Sequence, residues 1–347
     1  MAAITGKQSL LGFKKATTYG TAVAADKLFG VYNFNQSNNN VKLEQNLIGL
    51  NKIFQTDMSI GDRDPRLSWS GAIGAMNNFP YFLALFFGTA AAPVEQTGAQ
   101  NDWMHRLTFS STLNPQYATF AQLSSSATTF EWAAVAIDTL TLHYALDYLK
   151  ADFTALADIR NLSSATNTSA SLGALTAPAT DDLVIEQSDY FAINAQAGGA
   201  LSSSDKLTNV KSVTVSYAKP QSSPRYIKGS AGNGEPLSDA NYSCMVSIEL
   251  GNMADHTWYT AAAAGTEYKA QIAVEGAQIG TGVNRGLTTF FPRLKLIQDP
   301  TYDLGSLGHN PHVLNFEAIT ATANPTGMNS TLPYAQVINT VSTNLLA

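Results

Sequence analysis

Two stretches of the chain follow the same order of elements. Residues 68–89 read SWSGAIGAMNNFPYFLALFFGT, and residues 243–266 read SCMVSIELGNMADHTWYTAAAAGT. Each begins with an alternating segment that predicts a strand, passes through a polar break into a segment that predicts a helix, and closes on Gly-Thr. Matching both ends requires a two-residue gap at the strand-to-helix turn, where a change of length costs little free energy. The recurrence favours a duplicated unit, and two unrelated strand-helix units are the alternative.

The two predicted helices are rich in apolar and aromatic residues. A helix that is apolar on most sides packs against a sheet. We expect six residues to form helix core or inter-domain packing, namely Phe79, Tyr81, Phe82, Leu85, Trp258 and Tyr259. The most apolar window, residues 79–92, is too short for a bilayer, which needs about 20 residues. No membrane insertion is expected.

Low charge is the main compositional signal. Charged residues make up 13% of the 347 residues, against roughly 25% in typical globular proteins. A weakly charged surface indicates extensive contact with other subunits, or else a neutral all-β surface. The formal net charge of -6, without a Lys/Arg cluster, argues against tight nucleic-acid binding. Cys244 is the single cysteine, which excludes an internal disulfide and a multi-cysteine metal site.

Alternating apolar and polar residues predict antiparallel strands on both sides of a composition change. LTLHYAL at 140–146 and KSVTVSYA at 211–218 each place apolar residues on one face. Between them, residues 161–182 contain no aromatic residue and are rich in Ser, Thr and Ala, which is typical of a linker or surface loop. We expect a mainly β chain of two tandem sets of antiparallel strands, each with one flanking α-helix.

The predicted boundaries follow these changes. Residues 1–160 form a first domain with an N-terminal arm, residues 161–208 form a linker or insertion loop, and residues 209–347 form a second domain with a C-terminal arm.

Catalytic and metal motifs are absent from the sequence. No nucleophile elbow, phosphate-binding loop or zinc-protease motif occurs. His309 and His312 flank a proline and lack a third ligand, so a solvated turn is the favoured interpretation. Asp57, Asp62 and Asp64 do not have the spacing of a calcium loop and indicate an exposed hairpin tip. We expect neither an enzyme nor a metal or other cofactor.

Several segments together resemble one protein family. The opening GFKKATTYGTAVAADKLFGV (12–31), the unit RLSWSGAIGAMNNFPYFLALFFGT (66–89) and the meander FEWAAVAIDTLTLHYALDYLKADFTALAD (130–158), preceded by HRLTF and ATFAQL, carry the resemblance. They resemble the major tail tube protein of long, non-contractile-tailed (siphovirus-type) bacteriophages, in the longer kind with two tube domains in one chain.

The resemblance implies two tandem antiparallel β-sandwich or barrel domains, each with one flanking α-helix, and a structural role in the virion. It implies rings that stack into a tail tube for genome delivery, with three copies forming a pseudo-hexameric ring. The implied partners are the chain itself, the tape-measure protein, and phage DNA that passes without tight binding. The implied location is the phage tail, after synthesis in the host cytoplasm.

A conduit for DNA suits an acidic lining, because phosphates bind to Lys/Arg surfaces through counterion release. Six carboxylates in or beside predicted strands are candidates for the lumen, and ordinary solvent-facing carboxylates are the alternative. They are Asp138, Asp147, Asp152, Asp158, Glu249 and Glu275.

Two other functions stay open. One is a different virion structural protein, such as a connector, tail terminator or decoration subunit, which forms a single ring or cap. The other is a carbohydrate-binding β-sandwich, which predicts a groove with solvent-facing tryptophans. Trp69, Trp103, Trp132 and Trp258 mostly fall in predicted core elements, which disfavours that groove.

Overall fold

The computed structural model describes residues 9–44, 58–73, 78–98, 101–110, 116–123, 128–145, 148–177, 190–222, 235–239, 241–251, 256–302 and 312–347. These residues form a mainly β, antiparallel structure with few helices. The predicted fold class is confirmed at that level.

Eleven strands and two helices lie between residues 9 and 177 in the described part of the chain. They are β1 (Leu11–Ala16), β2 (Lys27–Leu28), β3 (Asn33–Glu44), β4 (Met58–Ala72), α1 (Phe79–Phe87), β5 (Gly88–Ala90), β6 (Val94–Glu95), β7 (Trp103–Phe109), β8 (Tyr117–Leu123), β9 (Thr129–Ala145), β10 (Tyr148–Ala157), β11 (Arg160–Asn161) and α2 (Ser169–Gly173).

Ten further strands and one α-helix follow from residue 190. They are β12 (Tyr190–Ala195), β13 (Val210–Ala218), β14 (Gln221–Ser222), β15 (Leu237–Ser238), β16 (Ser243–Leu250), α3 (Thr257–Ala264), β17 (Glu267–Gly280), β18 (Val283–Leu296), β19 (Thr301–Tyr302), β20 (His312–Ala318) and β21 (Tyr334–Asn339). A 3-10 turn spans Ser203–Asp205. All of these strands except β14 and β15 belong to one hydrogen-bonded sheet.

One strand order occurs twice in this sheet. Neighbouring strands run β1, β8, β9, β10, β4, β3 in the first repeat. They run β12, β17, β18, β20, β16, β13 in the second repeat. The corresponding strands also follow one another in the same chain order, with α1 after β4 and α3 after β16. The topology therefore extends the similarity well beyond the strand-helix unit seen in the sequence.

A single alignment relates the two strand-helix units without a gap. Along the sequence, Leu67 is as many residues from Cys244 as Gly88 is from Gly265. Leu67 and Cys244 are both buried, and Gly88 and Gly265 end the two helices. With this alignment, the strand registers place Phe153 at the position of Phe316. The two-residue gap predicted at the turn is unnecessary, because shifting the strand by two keeps the same face buried.

Helix α1 packs mainly against the first repeat, and its Phe86 and Phe87 rings also contact Tyr217 of β13. Pro80 stands at its first turn, where a missing N–H is tolerated, and Gly88 ends it with a φ of 87°. Phe79, Phe82 and Leu85 are buried. The ring of Phe82 lies 4.9 Å from that of Phe13 and 5.6 Å from that of Trp69. These contacts anchor the helix to strands β1 and β4.

The C-terminal residues cover the outer side of α1. Leu345 is buried, and the Asn344 side-chain amide donates a hydrogen bond of 3.0 Å to the Ala90 carbonyl. The Lys15 ammonium donates to the Leu346 carbonyl. Tyr81 is partly buried and lies under the Lys27 ammonium, 4.8 Å from the ring centre. The end of the chain is thus fastened to the first repeat.

Helix α3 is more exposed than its counterpart. Trp258 packs against Tyr268 and Phe316 at ring distances of 5.4 and 6.0 Å, and Tyr259 lies 6.1 Å from the His256 ring. Both aromatic side chains are only partly buried, and Ala261 is the fully buried residue of the described helix. Its alanine-rich sequence fits this, because small side chains suffice where one side faces solvent.

Residues 161–177, predicted as part of a linker or loop, pack onto the first repeat. Leu172 of α2 is buried so close to Gly12 that a Cβ there would lie 2.7 Å from its side chain. Asn167 is buried, accepts the Ala25 N–H at 2.7 Å and donates to the Glu131 carboxylate at 2.6 Å. Ser164 donates to the same carboxylate. This polar network ties the N-terminal arm to β9.

Replacing Phe82 by Ala is expected to lower the free energy of unfolding by about 3–5 kcal/mol, the usual cost of deleting a buried aromatic ring. Tyr259→Ala, its counterpart on half-exposed α3, should cost clearly less. Urea denaturation of the unassembled chain measures both values. Equal losses would contradict the difference in burial between the two helices.

Asn167→Ala should cost about 1–3 kcal/mol, because it leaves the Ala25 N–H without its acceptor and removes one donor from the buried Glu131 carboxylate. Thr166→Ala, at an exposed position of the same segment, should change stability by less than about 0.5 kcal/mol. The same denaturation experiment applies. A negligible effect of Asn167→Ala would argue against the network as the attachment of the arm.

Candidate functional site

Six neighbouring strands, β4, β10, β9, β13, β16 and β20, form a continuous antiparallel sheet that crosses from the first repeat to the second. Successive residues of a strand point to opposite faces, and directly paired residues share a face. One face of this sheet is apolar and buried. It includes the paired residues Gly71, Ala151, Leu142, Val215, Val246 and Phe316.

The opposite face, here called the polar face, carries many hydroxyl side chains together with charged ones. One row of paired residues on it runs Ser70, Asp152, Thr141, Ser216, Met245 and Glu317. The next row runs Ala72, Lys150, His143, Thr214, Ser247 and Asn315. Except for Ser70, which is buried, and Glu317, which is exposed, these side chains are partly exposed. Ser, Thr and Asn side chains thus lie among charged ones on this face.

Three carboxylates of the polar face, Asp138, Asp152 and Glu249, lie beside bases. Asp138 accepts from Arg66 at 2.9 Å and from the Thr154 hydroxyl. It is the extra residue of a bulge between β9 and β10, where Thr139 pairs with Thr154 and Ile137 with Ala155. The bulge allows this carboxylate to reach Arg66.

Asp152 is the centre of a second paired group. Its carboxylate lies 2.7 Å from the Lys150 ammonium and 3.0 Å from His143 Nε2, and it accepts from the Ser70 hydroxyl. Partial burial raises the pKa of Asp152, but the hydrogen bonds from Lys150 and Ser70 and the nearby charge outweigh burial and hold the pKa below its usual value. Asp152 is therefore ionised at neutral pH.

Glu249 is held more loosely at the end of β16. Its carboxylate accepts from the Ser212 hydroxyl at 3.2 Å and lies 3.8 Å from the Lys211 ammonium. Across the described part of the polar face, charges of both signs therefore occur side by side.

The structure brings three of the six acidic candidates to the polar face, Asp138, Asp152 and Glu249. Asp158 lies elsewhere, next to the N-terminal arm near Gly20, and burial raises its pKa. Glu275 lies on β17, outside the six strands, near Asn284. Asp147 falls outside the described residues. Alternation along a strand predicts the face on which a carboxylate lies. It does not predict where in the sheet that strand lies, so the sequence alone could not distinguish these carboxylates.

Sequence reasoning did not single out Glu317, Lys150 and the rows of hydroxyls. The signal for them was present in the alternation of Ser212, Thr214 and Ser216 between buried valines and Tyr217. What was missing was the identity of the neighbouring strands, which places these residues beside Thr141 and His143.

A surface cavity of about 240 Å³ lies at the end of the six-stranded sheet. It is lined by Phe109, Tyr242, Ser243, Cys244, Glu317, Ala318, Ile319, Thr320, Leu332 and Pro333. Burial raises the pKa of the Cys244 thiol, which keeps it protonated and unreactive. The cavity therefore contains no activated nucleophile.

The described ranges also bear on metal binding and membrane insertion. No group of three or more His, Cys, Asp or Glu side chains there could hold a metal ion. His312 begins β20, whereas His309 and Asp57 lie outside these ranges, as do the side chains of Asp62 and Asp64. None of the described helices has both the length and the apolar character needed to cross a bilayer.

Comparison with known proteins identifies the family. A search of curated proteins found no match to the chain. The family model described as phage tail tube protein matches residues 6–335, which is nearly the whole chain. The resemblance carried by residues 12–31, 66–89 and 130–158 is thereby confirmed at the level of the family. The chain belongs to the phage tail tube protein family, and its role is that of a structural protein of the phage tail.

Proposed function

We propose that three copies of this chain form one ring of the tail tube, that each copy supplies two tube domains, and that the polar face lines the channel for DNA. The observation that carries the proposal is the strand order that occurs twice and continues across β9 and β13. Three chains with two similar units each supply six units, so a threefold ring can approximate sixfold symmetry.

The proposed first domain extends through residue 177 and the second begins by residue 190. Residues 161–177 pack onto the first repeat through Leu172 and Asn167. Strand β12, which the sequence places in the linker, pairs with β17 as β1 pairs with β8. These contacts support domains longer than the predicted 1–160 and 209–347.

A paired, hydroxyl-rich face suits a channel for DNA. Tight binding to DNA arises when Lys and Arg neutralise phosphates and release counterions. On the polar face, Arg66 and Lys150 lie within salt-bridge distance of Asp138 and Asp152. A base already paired with a carboxylate gains little from a phosphate, so DNA passes without being held.

The assembly context follows from this role. We infer that the chain is made in the host cytoplasm, assembles with copies of itself in the virion tail, and surrounds the tape-measure protein before DNA passes. The family role is structural, and a purely structural chain needs neither catalysis nor a cofactor.

Negative-stain electron microscopy of the purified chain at increasing concentration tests the proposed assembly. Stacked hollow rings with threefold or pseudo-sixfold symmetry are expected. A single closed ring that never stacks would instead favour a connector or terminator, and a monomer at every concentration would contradict the proposal.

Added positive charge tests the channel lining. Thr141→Lys with Thr214→Lys should leave tubes intact but create DNA binding, with log affinity falling by about 0.9 per neutralised phosphate for each log unit of salt. The matched control, Thr260→Lys with Ala323→Lys, adds the same charge at exposed positions off the polar face. Phage carrying the first pair should lose infectivity and phage carrying the control should not. Equal infectivity would contradict the lining.

A further inference from the structure

We propose that Lys219 fixes the angle between the two repeats, and that its positive charge selects the angle at which three chains close into a ring. Lys219 directly follows β13, the strand of the second repeat that pairs with β9 of the first. The first half of the proposal concerns the single chain. The second half rests on the proposed function, because it needs the ring.

Strand pairing by itself leaves this angle variable. Neighbouring strands of a sheet are rotated relative to one another by about 10–35°, and their hydrogen bonds form over that whole range. Strand β21 links the repeats a second time through β7, with the same freedom. The Phe86, Phe87 and Tyr217 rings pack together across the junction, but apolar packing is not directional. A closed ring requires one angle.

Lys219 is buried between the repeats. It is 3% exposed, and its N–H donates a hydrogen bond of 2.8 Å to the Asp138 carbonyl in the bulge of β9. The ammonium donates over 3.5 Å to the Phe86 carbonyl in the last turn of α1. It also lies 6.0 Å from the centre of the Tyr242 ring. Lys219 thereby contacts β9 and α1 of the first repeat and Tyr242 of the second.

The attraction of the ammonium depends on position. Carbonyl groups at the end of a helix carry partial negative charge, and the face of an aromatic ring attracts a cation. Both attractions weaken with distance, so they favour one position of Lys219 between the Phe86 carbonyl and the Tyr242 ring. A neutral anchor follows two residues later, where the buried Gln221 amide donates to the Ile137 carbonyl at 2.9 Å. Lys219 and Gln221 thus fasten one segment of the second repeat to the first.

The buried charge lowers the stability of the chain, so its role is not to hold the fold together. Burial lowers the pKa of Lys219 to about 8. The Asp138 carboxylate does not offset this cost, because it is bound to Arg66 at 2.9 Å. An apolar side chain of the same length would make the single chain more stable. Some proteins retain a buried charge because it selects one arrangement, and here that arrangement is the angle between the repeats.

Deprotonation of Lys219 should stabilise the chain and loosen the angle at the same time. Below pH 8 the buried ammonium is charged, and its cost is fully present. Between pH 8 and 10.5, the usual pKa of a lysine, the folded chain binds fewer protons than the unfolded chain, so stability rises with pH. The neutral amine loses its charge-dependent attraction to the Phe86 carbonyl and the Tyr242 ring. The charged and titratable groups of the described chain around Lys219 are Asp138 with Arg66, Tyr217, Asp239 and Tyr242.

Spin labels on the two repeats test the angle in the unassembled chain. Leu162→Cys on the first repeat and Ala263→Cys on α3 are exposed positions, and the buried Cys244 should not react. Pulsed electron spin resonance at pH 7 should give a narrow distance distribution for this labelled chain and a broader or shifted one when Lys219→Met is added. The labelled chain without Lys219→Met should show the same broadening at pH 9.5. Lys206→Met, at an exposed lysine beside β12, should change nothing.

Stability and assembly should respond in opposite directions. Urea denaturation at pH 7 should show Lys219→Met to be at least as stable as the wild type. From pH 8 to 10, the ratio of the two unfolding constants should change by up to about tenfold per pH unit in favour of the wild type. Negative-stain electron microscopy at pH 7 should show closed rings for the wild type and Lys206→Met, and open arcs or rings of another size for Lys219→Met.

The outcomes separate the two halves of the proposal. Equal distance distributions for the wild type and Lys219→Met, or a loss of stability in Lys219→Met at pH 7, would overturn the role of Lys219. A broader distribution with normal rings would overturn the link to ring closure and leave the role in the single chain. Failure of the wild-type chain to form rings would overturn the proposed function, while the spin-label result on the single chain would stand.

Discussion

The need of every strand edge for a hydrogen-bonding partner governs this structure. Backbone groups left without partners cost free energy and invite pairing with other chains. Within the chain, residues 139–145 of β9 and residues 212–218 of β13 satisfy one another. This junction merges strands of the two repeats into the six-stranded sheet, which has one buried face and one polar face. The polar face is therefore a consequence of how a strand edge is paired.

The two repeats share a topology but depend on each other unequally. The C-terminal residues pack against the first repeat. Leu345 is buried, and the Asn344 side chain donates a hydrogen bond to the Ala90 carbonyl. Strand β21 also joins β18 of the second repeat to β7 of the first. Helix α1 accordingly carries bulky aromatic residues on all sides, and α3 carries mostly small ones. The two repeats have equivalent strands, whereas the packing around each helix differs with its surroundings.

Much of this architecture was predictable from the sequence, because periodicity is a local property. The alternation at 140–146 and 211–218 identified both strands and their buried faces, and the closing Gly88 and Gly265 marked two helix ends. Partner choice was not predictable, because periodicity does not say which strand lies next to which. For the same reason Asp138 and Asp158 looked alike in sequence, although a bulge brings one to Arg66 and burial isolates the other.

The paired charges change the physical reason why a channel of this kind would not hold DNA. A net acidic lining would repel phosphates through a field that salt screens over about 8 Å at physiological ionic strength. In the Arg66–Asp138 and Lys150–Asp152 pairs, opposite charges lie within 3 Å, so their fields largely cancel at the distance of a duplex. Hydroxyl groups between the pairs can bond to water instead of to phosphate. Weak binding of DNA to such a lining then depends on local charge pairs and not on the net charge of the chain. It should persist over a wide range of salt concentration.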